Sequence, residues 1–328
     1  MNAAKPAGHL KEMRNELPRG KLRGINPQRL KMSQNSITGM PLFKRGKVRD
    51  IYDLGDRLLM VASDRISCFG VVLPTKIPGK GKILTALSAY WFREMEDIVG
   101  IHLLTTDVEQ FPFICRRYRE RLEGRSMLVK KAIPTAVRCV VRGYLFGSAW
   151  KEYRERGEVC GNRLPMGLVE ASRLKEPLFI PSTKESLGTH HDDITFQQMT
   201  DIVGPEKARA MRDLSITIYL RAQEMAEAKG IIIADTKFSF GLADGRLILI
   251  DELLAPDSSR FWPVESYQSG QVPESLGKQY VRDYLLSLRW DTRPPVPTLP
   301  PEIVQKTQED YLEALQRLTA PPARRFGR

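Results

Sequence analysis

The string ADTKFSFG, residues 234–241, sets a lysine and a serine two residues apart. On a strand that spacing puts Lys237 and Ser239 on one face. Lys237 can hold a phosphate. A hard divalent cation bridging nucleotide phosphates wants carboxylate oxygens, and Ser239 supplies none. DELLAPDSSRFW (251–262) places two adjacent acids, Asp251 and Glu252, at a strand end, with Ser258, Ser259 and Arg260 in the loop beyond. Paired acids also serve as helix caps or stay solvated, yet with Lys237 on the partner strand they read as a magnesium–phosphate site. RGKVRDIY (45–52) sets Gly46 between cations, where backbone amides can approach a phosphate and Lys47 can pair with it. A glycine turn with solvated cations explains the same residues. VRGYLFGSAW (141–150) adds Arg142 at a strand end and Gly147-Ser148 at a helix start, where free N–H groups and the dipole favour anions. PSTKESLGTHHDDITF (181–196) gathers His190, His191, Asp192 and Asp193. Adjacent histidines converge poorly on one ion, so a mobile polar lid is a better reading than a metal site.

The elements that must position these residues follow from apolar spacing. Residues 43–72 alternate short apolar runs with turn residues, a β-rich unit with a hairpin near Gly55-Asp56. Residues 82–100 have helical spacing through Leu84, Leu87, Trp91 and Met95, with Gly100 as the stop. SMLVKKA (126–132) and AVRCVVRGYL (136–145) read as a strand pair that turns into the helix GSAWKEYRERG (147–157). Residues 160–194, rich in Pro, Gly and polar side chains, read as a long functional loop. Pro205 opens a helix through Lys229, closed by Gly230, with Met211, Leu214, Ile218, Ala222 and Met225 as its buried stripe. Next comes a hairpin, IIIADTKFSFG and LILIDE around ADGR; a helix over 301–318 ends the pattern. The class is α+β. The expected divisions are a basic, disordered extension (1–35), a β-rich unit with the glycine loop (36–125), a central α+β unit with the phosphate and metal sites (126–270), and C-terminal helices with a basic tail (271–328).

Composition bounds the rest. The 328 residues are 42% hydrophobic and 27% charged, as in an ordinary soluble protein. No apolar run approaches a membrane span, and no secretory pattern opens the chain. Cys68, Cys115, Cys139 and Cys160 stand far apart with no CxxC pair, and read as reduced, mostly buried thiols of a cytoplasmic protein. The net charge of +12 suggests nucleic acid, but residues 1–35 carry +6 of it and the residues from Thr319 carry +3. The body is only slightly basic, so a solvated arm is preferred to a nucleic-acid partner. A transit peptide is the other reading of that arm.

Taken together, RGKVRDIYDLG, SDRIS, VVRGYLFGSAWKEY, PSTKESLGTHHDDI, IIIADTKFSFGL and IDELLAPDSSRFW resemble the phosphoribosylaminoimidazole-succinocarboxamide synthase (SAICAR synthetase) family, from about Ile37 to Thr319. The resemblance implies an ATP-grasp-like architecture with ATP and Mg2+. It also implies a reaction in which the carboxylate of an aminoimidazole ribonucleotide is phosphorylated and then captured by the amine of aspartate. By position, Gly46, Lys47 and Arg49 would line the ATP phosphates with Lys130 and Lys237 nearby, and Asp251 would take the magnesium. Lys237 and Asp251 would be the catalytic pair. Arg142, Ser148 and Arg260 would clamp the 5′-phosphate of a phosphoribosyl nucleotide, with Lys184 on the same substrate.

Six positions depart from the family strings. Gly70, Ser239 and Gly277 stand where acids are usual, Arg138 reverses a glutamate, and Phe146 and Ile180 replace small hydroxyl residues. Because these changes sit inside the motifs, the sequence reads as a repurposed relative acting on a phosphoribosylated imidazole or purine-type nucleotide, with pentostatin or coformycin formation as the setting. On that reading ATP and magnesium binding is weakened or lost, and SAICAR is not made at a competent rate. An authentic SAICAR synthetase is the alternative, and a non-catalytic nucleotide-binding protein a third reading. A homo-oligomer stays open. A two-residue turn at Asp244-Gly245 would pair Ser239 with Ile250 and a three-residue loop with Asp251; the resemblance favours the latter.

Overall fold

Two large sheets and two two-stranded ones carry the described residues, and a buried apolar core fills the space between the large sheets and the helices. The computed structural model describes residue 37 and residues 39–183 and 193–321. The chain begins β1 (Leu42–Arg45), β2 (Arg49–Asp53), β3 (Arg57–Ala62), β4 (Arg65–Cys68) and β5 (Val71–Lys76), then α1 (Lys80–Met95). β6 (Gly100–Ile101), β7 (Leu103–Thr105), the short α2 (Phe113–Arg116) and α3 (Arg119–Leu122) and β8 (Ser126–Lys130) follow. The middle holds β9 (Ile133–Tyr144), α4 (Ser148–Arg156), β10 (Glu158–Val159), β11 (Asn162–Arg163) and β12 (Arg173–Thr183). Then come α5 (Phe196–Val203), α6 (Pro205–Glu227), β13 (Ile231–Ala243), β14 (Arg246–Ile250), β15 (Ser259–Pro263), α7 (Gln279–Ser287) and α8 (Pro301–Thr319).

The first sheet runs β1-β2-β3-β8-β7 and the second β12-β9-β13-β14-β6, with β15 also on β13. One apolar core joins them: Leu87, Trp91 and Phe92 of α1, Met127 and Val129 of β8, Val141 of β9 and Phe238 of β13 belong to a single buried cluster. α6 lies on the second sheet through Ile218, Tyr219 and Ala222. Gly143 permits that approach, since a Cβ there would sit 2.0 Å from the Tyr219 hydroxyl oxygen. α7 through Val281 and Leu285, and Leu299 with Ile303 and Val304 at the start of α8, close over β4 and β5.

Several expectations hold: the Gly55-Asp56 hairpin, the α4 and α6 helices with their glycine stops, and the last helix all form. Four do not. β8 pairs with β3 and β7 while β9 pairs with β12 and β13, so SMLVKKA and AVRCVVRGYL are not partners. The supposed loop over 160–194 contains β11 and the eleven-residue β12. Pro177 and Pro181 disguised β12 as a loop, but an edge strand tolerates proline because its outer N–H row is unpaired. α1 ends at Met95 and Gly100 begins β6 instead of closing the helix. Finally, Asp244 and Gly245, with φ of 51° and 74°, make a two-residue turn that pairs Ala243 with Arg246 and Ser239 with Ile250. Two consecutive positive φ values are what a tight primed hairpin requires, and Asp-Gly supplies them. The three-residue register does not form.

Candidate functional site

Neighbouring faces of β9 and β13 meet rung by rung: Arg142 opposite Asp235, Val140 opposite Lys237, Arg138 opposite Ser239. At the first rung Arg142 Nη1 donates to Asp235 Oδ2 at 2.7 Å, and Arg260 Nη1 donates to the same oxygen. Asp235 keeps the Arg260 guanidinium charged against burial and against the repulsion of Arg142 and Arg282, which together pull its pKa down. Phe146 adds support from below: its ring centroid is 5.4 Å from Arg260 Cζ and it packs edge-on against Trp262 at 5.5 Å. Two forks held on one carboxylate present their remaining N–H groups to an anion, an arrangement suited to a phosphate. Ser148, exposed at the start of α4, adjoins Gly147, where a Cβ would lie 3.7 Å from Arg260 Nη2.

Arg142, Asp235 and Arg260 line an open cleft of about 210 Å³, together with Lys237, Asp257, Lys278 and Arg282. Asp257 is the hub of its far wall. It accepts from Lys80 at 2.6 Å and from the Tyr311 hydroxyl at 2.5 Å, and pairs with Lys278 at 3.1 Å. Lys278 and Lys80 hold the Asp257 carboxyl well below the usual carboxylate range although burial opposes it. Lys80 has no exposed surface, so this network ties α1 and α8 to the cleft.

Beyond Lys237 the cleft floor reaches a second charged group. Arg49, buried at the start of β2, pairs through Nη1 with Asp251 and through Nη2 with Glu252. Burial would raise the Asp251 carboxyl, but Arg49, Lys237 and Arg138 hold it below the usual range. Burial prevails at Glu252 and pushes its carboxyl up, and it pulls the Lys237 ammonium down. Asp251 itself has φ of +73°, a strained conformation for a non-glycine residue that often marks a functional position. The buried imidazole of His102, pushed down to about 4 by desolvation and hence neutral at pH 7, hydrogen-bonds the Asp251 backbone.

The structure thus sets Arg142, Arg260 and Lys237 on the cleft wall, Arg138 and Ser239 on the ladder beyond, and Arg49 and Asp251 beside them. The glycine loop is arranged differently from expectation. The Gly46 N–H donates to the Arg49 carbonyl at 2.7 Å, so it closes the loop instead of facing a phosphate. A Cβ at Gly46 would meet that carbonyl oxygen at 2.9 Å, which accounts for the glycine. Arg65 pins the Gly46 and Lys47 carbonyls from outside, leaving the Lys47 side chain exposed. Lys130 is exposed too, with its N–H on the His102 carbonyl at 2.8 Å. Arg49 faces the two acids. Lys184, His190, His191 and Asp192 lie outside the described residues.

Four of the departures have structural reasons. Gly70 follows Phe69 in the β4–β5 turn with φ of 48° and 80°, where glycine is favoured. Ile180 is fully buried in the cluster that packs α4 on β12, beside Val140. Gly277 has φ of 159°, a backbone conformation that other residues rarely adopt, and lies against Pro256. Phe146 stacks the clamp arginine, as above. Reading by sequence missed Asp235, Lys80, Asp257, Tyr311 and His102. Asp235 had a signal, standing two residues before Lys237 on the same strand face.

The resemblance implies a magnesium ion at Asp251. Asp251 is half-exposed, Glu252 is buried, and Arg49 binds both. Arg138 and Ser239 fill the neighbouring rung, and among the described residues no three His, Cys, Asp or Glu side chains converge. The described residues form no dication site of their own; a magnesium ion here would be held by Asp251 together with substrate phosphates.

The sequence matches the family profile described as SAICAR synthetase over residues 42–297. A phosphoribosylaminoimidazole-succinocarboxamide synthase of Desulfosudis oleivorans is 57% identical over 280 residues, 85% of this chain and 96% of the relative. That of Geobacter metallireducens is 55% identical over 280 residues, 85% of this chain and 95% of the relative. Among solved structures, a SAICAR-synthase from Saccharomyces cerevisiae complexed with SAICAR is 40% identical with a TM-score of 0.79, covering 88% of this chain and 97% of that one. A SAICAR synthetase in complex with ADP, 21% identical with a TM-score of 0.62 over 85% of this chain and 98% of its own, shares the fold. Such a fold and such relatives define a class: ligases that form C–N bonds in purine biosynthesis. Within that class the chain belongs to the SAICAR synthetase family, whose members depend on ATP. No helix among the described residues is long and apolar enough to cross a membrane.

Proposed function

We propose that this protein is an authentic SAICAR synthetase, joining the amine of aspartate to the carboxylate of carboxyaminoimidazole ribonucleotide at the expense of ATP. The observation that carries the reading is the Arg142–Asp235–Arg260 clamp with Lys237 one rung away, in a chain 55–57% identical to enzymes of that name along 85% of its length. Arg142 and Arg260 hold the ribonucleotide 5′-phosphate. Phe146 and Asp235 fix the angle of the forks. Lys237, in the middle of the floor, neutralises charge where the ribonucleotide approaches the nucleotide triphosphate. No step is assigned to a metal.

This replaces the repurposed, nucleoside-antibiotic reading and its expectation of lost SAICAR formation. The relatives reported above carry the name of the SAICAR-forming enzyme, and Gly70, Phe146, Ile180 and Gly277 have the packing and turn reasons given above. A non-catalytic nucleotide binder fits less well, because a strained Asp251 and a clamp of this kind are costly features to keep for binding alone. A cytoplasmic setting and a small-molecule partner accompany the proposal. Expression in a purine auxotroph lacking this step tests it: growth without purine supports the reading, and failure of soluble, expressed protein to rescue overturns it.

A further inference from the structure

One carboxylate joins four parts of the chain behind the cleft wall. Asp257 sits in the turn between β14 and β15, where the Ser258 and Ser259 N–H groups both donate to the Ala255 carbonyl at 2.8 Å. Its Oδ2 accepts from Lys80 of α1 at 2.6 Å. Its Oδ1 is shared: the Tyr311 hydroxyl of α8 donates to it at 2.5 Å, and the Lys278 ammonium, just before α7, lies 3.1 Å away. Lys80 Nζ also stands 5.6 Å from the centre of the Tyr311 ring. Asp257 and Lys278 line the cleft, whereas Lys80 and Tyr311 are fully buried behind it.

The charges at this hub do not balance. An ammonium with no exposed surface must be neutralised where it stands, so the Asp257 charge is committed to Lys80. Among the described residues, the other acid acting on Lys80 is Glu252, which Arg49 already binds. Lys278 therefore shares a carboxylate that is already taken, and its side chain, 16% exposed, keeps its charge for the cleft that it lines. The Tyr311 hydroxyl decides how much of Oδ1 is left for Lys278. A phenol proton on that oxygen occupies a lone pair and weakens its pull on the neighbouring ammonium. Without that proton the oxygen would draw Lys278 in, away from a ligand.

We propose that Tyr311 is a positioning residue: by donating to Asp257 it holds Lys278 out toward an anion in the cleft, which makes α8 part of the binding unit. Tyr311 itself touches no ligand. The inference rests on the proposed function for its ribonucleotide.

The test compares wild type, Tyr311→Phe, Lys278→Met and the double variant in calorimetric titrations with carboxyaminoimidazole ribonucleotide, in EDTA and without ATP or aspartate. Tyr311→Phe deletes one oxygen and should weaken binding about 3- to 10-fold, the range of one hydrogen bond. Lys278→Met removes a charged partner and should weaken it about 10-fold or more. In the Lys278→Met background Tyr311→Phe should change affinity less than about twofold, because its effect runs through the missing ammonium. A tyrosine that only packs would cost the same factor in both backgrounds. Lys80→Met, which turns the whole carboxylate onto Lys278, gives a second reading and should weaken binding in the same way, again only where Lys278 is present. Wild-type affinity in folded Tyr311→Phe or Lys80→Met, or a loss that persists without Lys278, overturns the positioning role. The two proposals fail separately. Ligation by wild type with affinity indifferent to Tyr311 sinks the positioning alone; a Tyr311 effect that needs Lys278, in a protein that does not ligate, sinks the proposed function alone.

Discussion

Asp235 holds two guanidiniums together before any ligand arrives, so removing its charge should unbalance the empty protein more than the liganded one. In Asp235→Asn, Arg142 and Arg260 face each other with a neutral amide between them. Asp235 and Arg142 are each 8% exposed, which leaves little water to compensate. Removing one partner of a buried pair costs about 3–5 kcal/mol. Arg260 has 26% of its side chain exposed and Asn keeps one acceptor, so about 3 kcal/mol is expected. For a chain of this size that lowers the melting temperature by about 5 °C or more. A nucleoside monophosphate brings two negative charges to the same guanidiniums and should recover much of the loss. The thermal shift produced by saturating ligand is therefore larger in the variant than in wild type. Paired melting curves with and without ligand decide it. An unchanged melting temperature without ligand, or a ligand shift no larger than wild type, refutes the clamp.

Other consequences are open to direct measurement. Burial raises the Asp310 carboxyl to about 6, against the pull of Lys306. A raised carboxyl contributes stability below its unfolded value near 4 and loses it as pH rises through 6, an effect of about 3 kcal/mol over two pH units. Asp310→Asn should therefore stabilise the protein at pH 7.5 and do little at pH 4, read from urea denaturation at both. Asp257→Asn should lower the melting temperature sharply at pH 7, because Lys80 is left buried without its partner at a cost of roughly 3–5 kcal/mol. The folded Asp257 carboxyl is depressed, so that difference shrinks only as pH falls below about 4. Phe146→Ala removes the ring beneath Arg260 and should weaken monophosphate binding about two- to fivefold, by calorimetry. Gly143→Ala drives a methyl into the Tyr219 hydroxyl, which donates to the Ile233 carbonyl at 2.5 Å, and should leave little folded protein in circular dichroism.

Local signals carried much of this fold. Asp-Gly at a hairpin tip, proline at a helix start and glycine at its end are short-range devices, and β13–β14, α4 and α6 appear where they indicate. Pairing across distance was not readable. β8 and β9 are consecutive and apolar, yet they belong to different sheets because the core between them is shared with α1. The site shows the same division. Lys237, Arg142, Arg260 and Asp251 stand out as charges beside turns and strand ends. Ser239 looks like a missing acid in isolation. Only the β9–β13 register shows that its neighbour is Arg138, so the two departures face each other. His102, Lys80 and Tyr311 lie far along the chain from the residues they hold, and no spacing rule connects them. Gly46 was legible as essential, but for closing a turn on Arg49 and not for offering an amide to phosphate.

The reaction itself is open to direct measurement. Purified protein supplied with carboxyaminoimidazole ribonucleotide, aspartate, ATP and magnesium should form the succinocarboxamide product and ADP in equal amounts, followed by mass spectrometry and coupled ADP release. Omitting aspartate should stop product formation. ADP release with no product, or no turnover from folded protein that still binds the ribonucleotide, would contradict it.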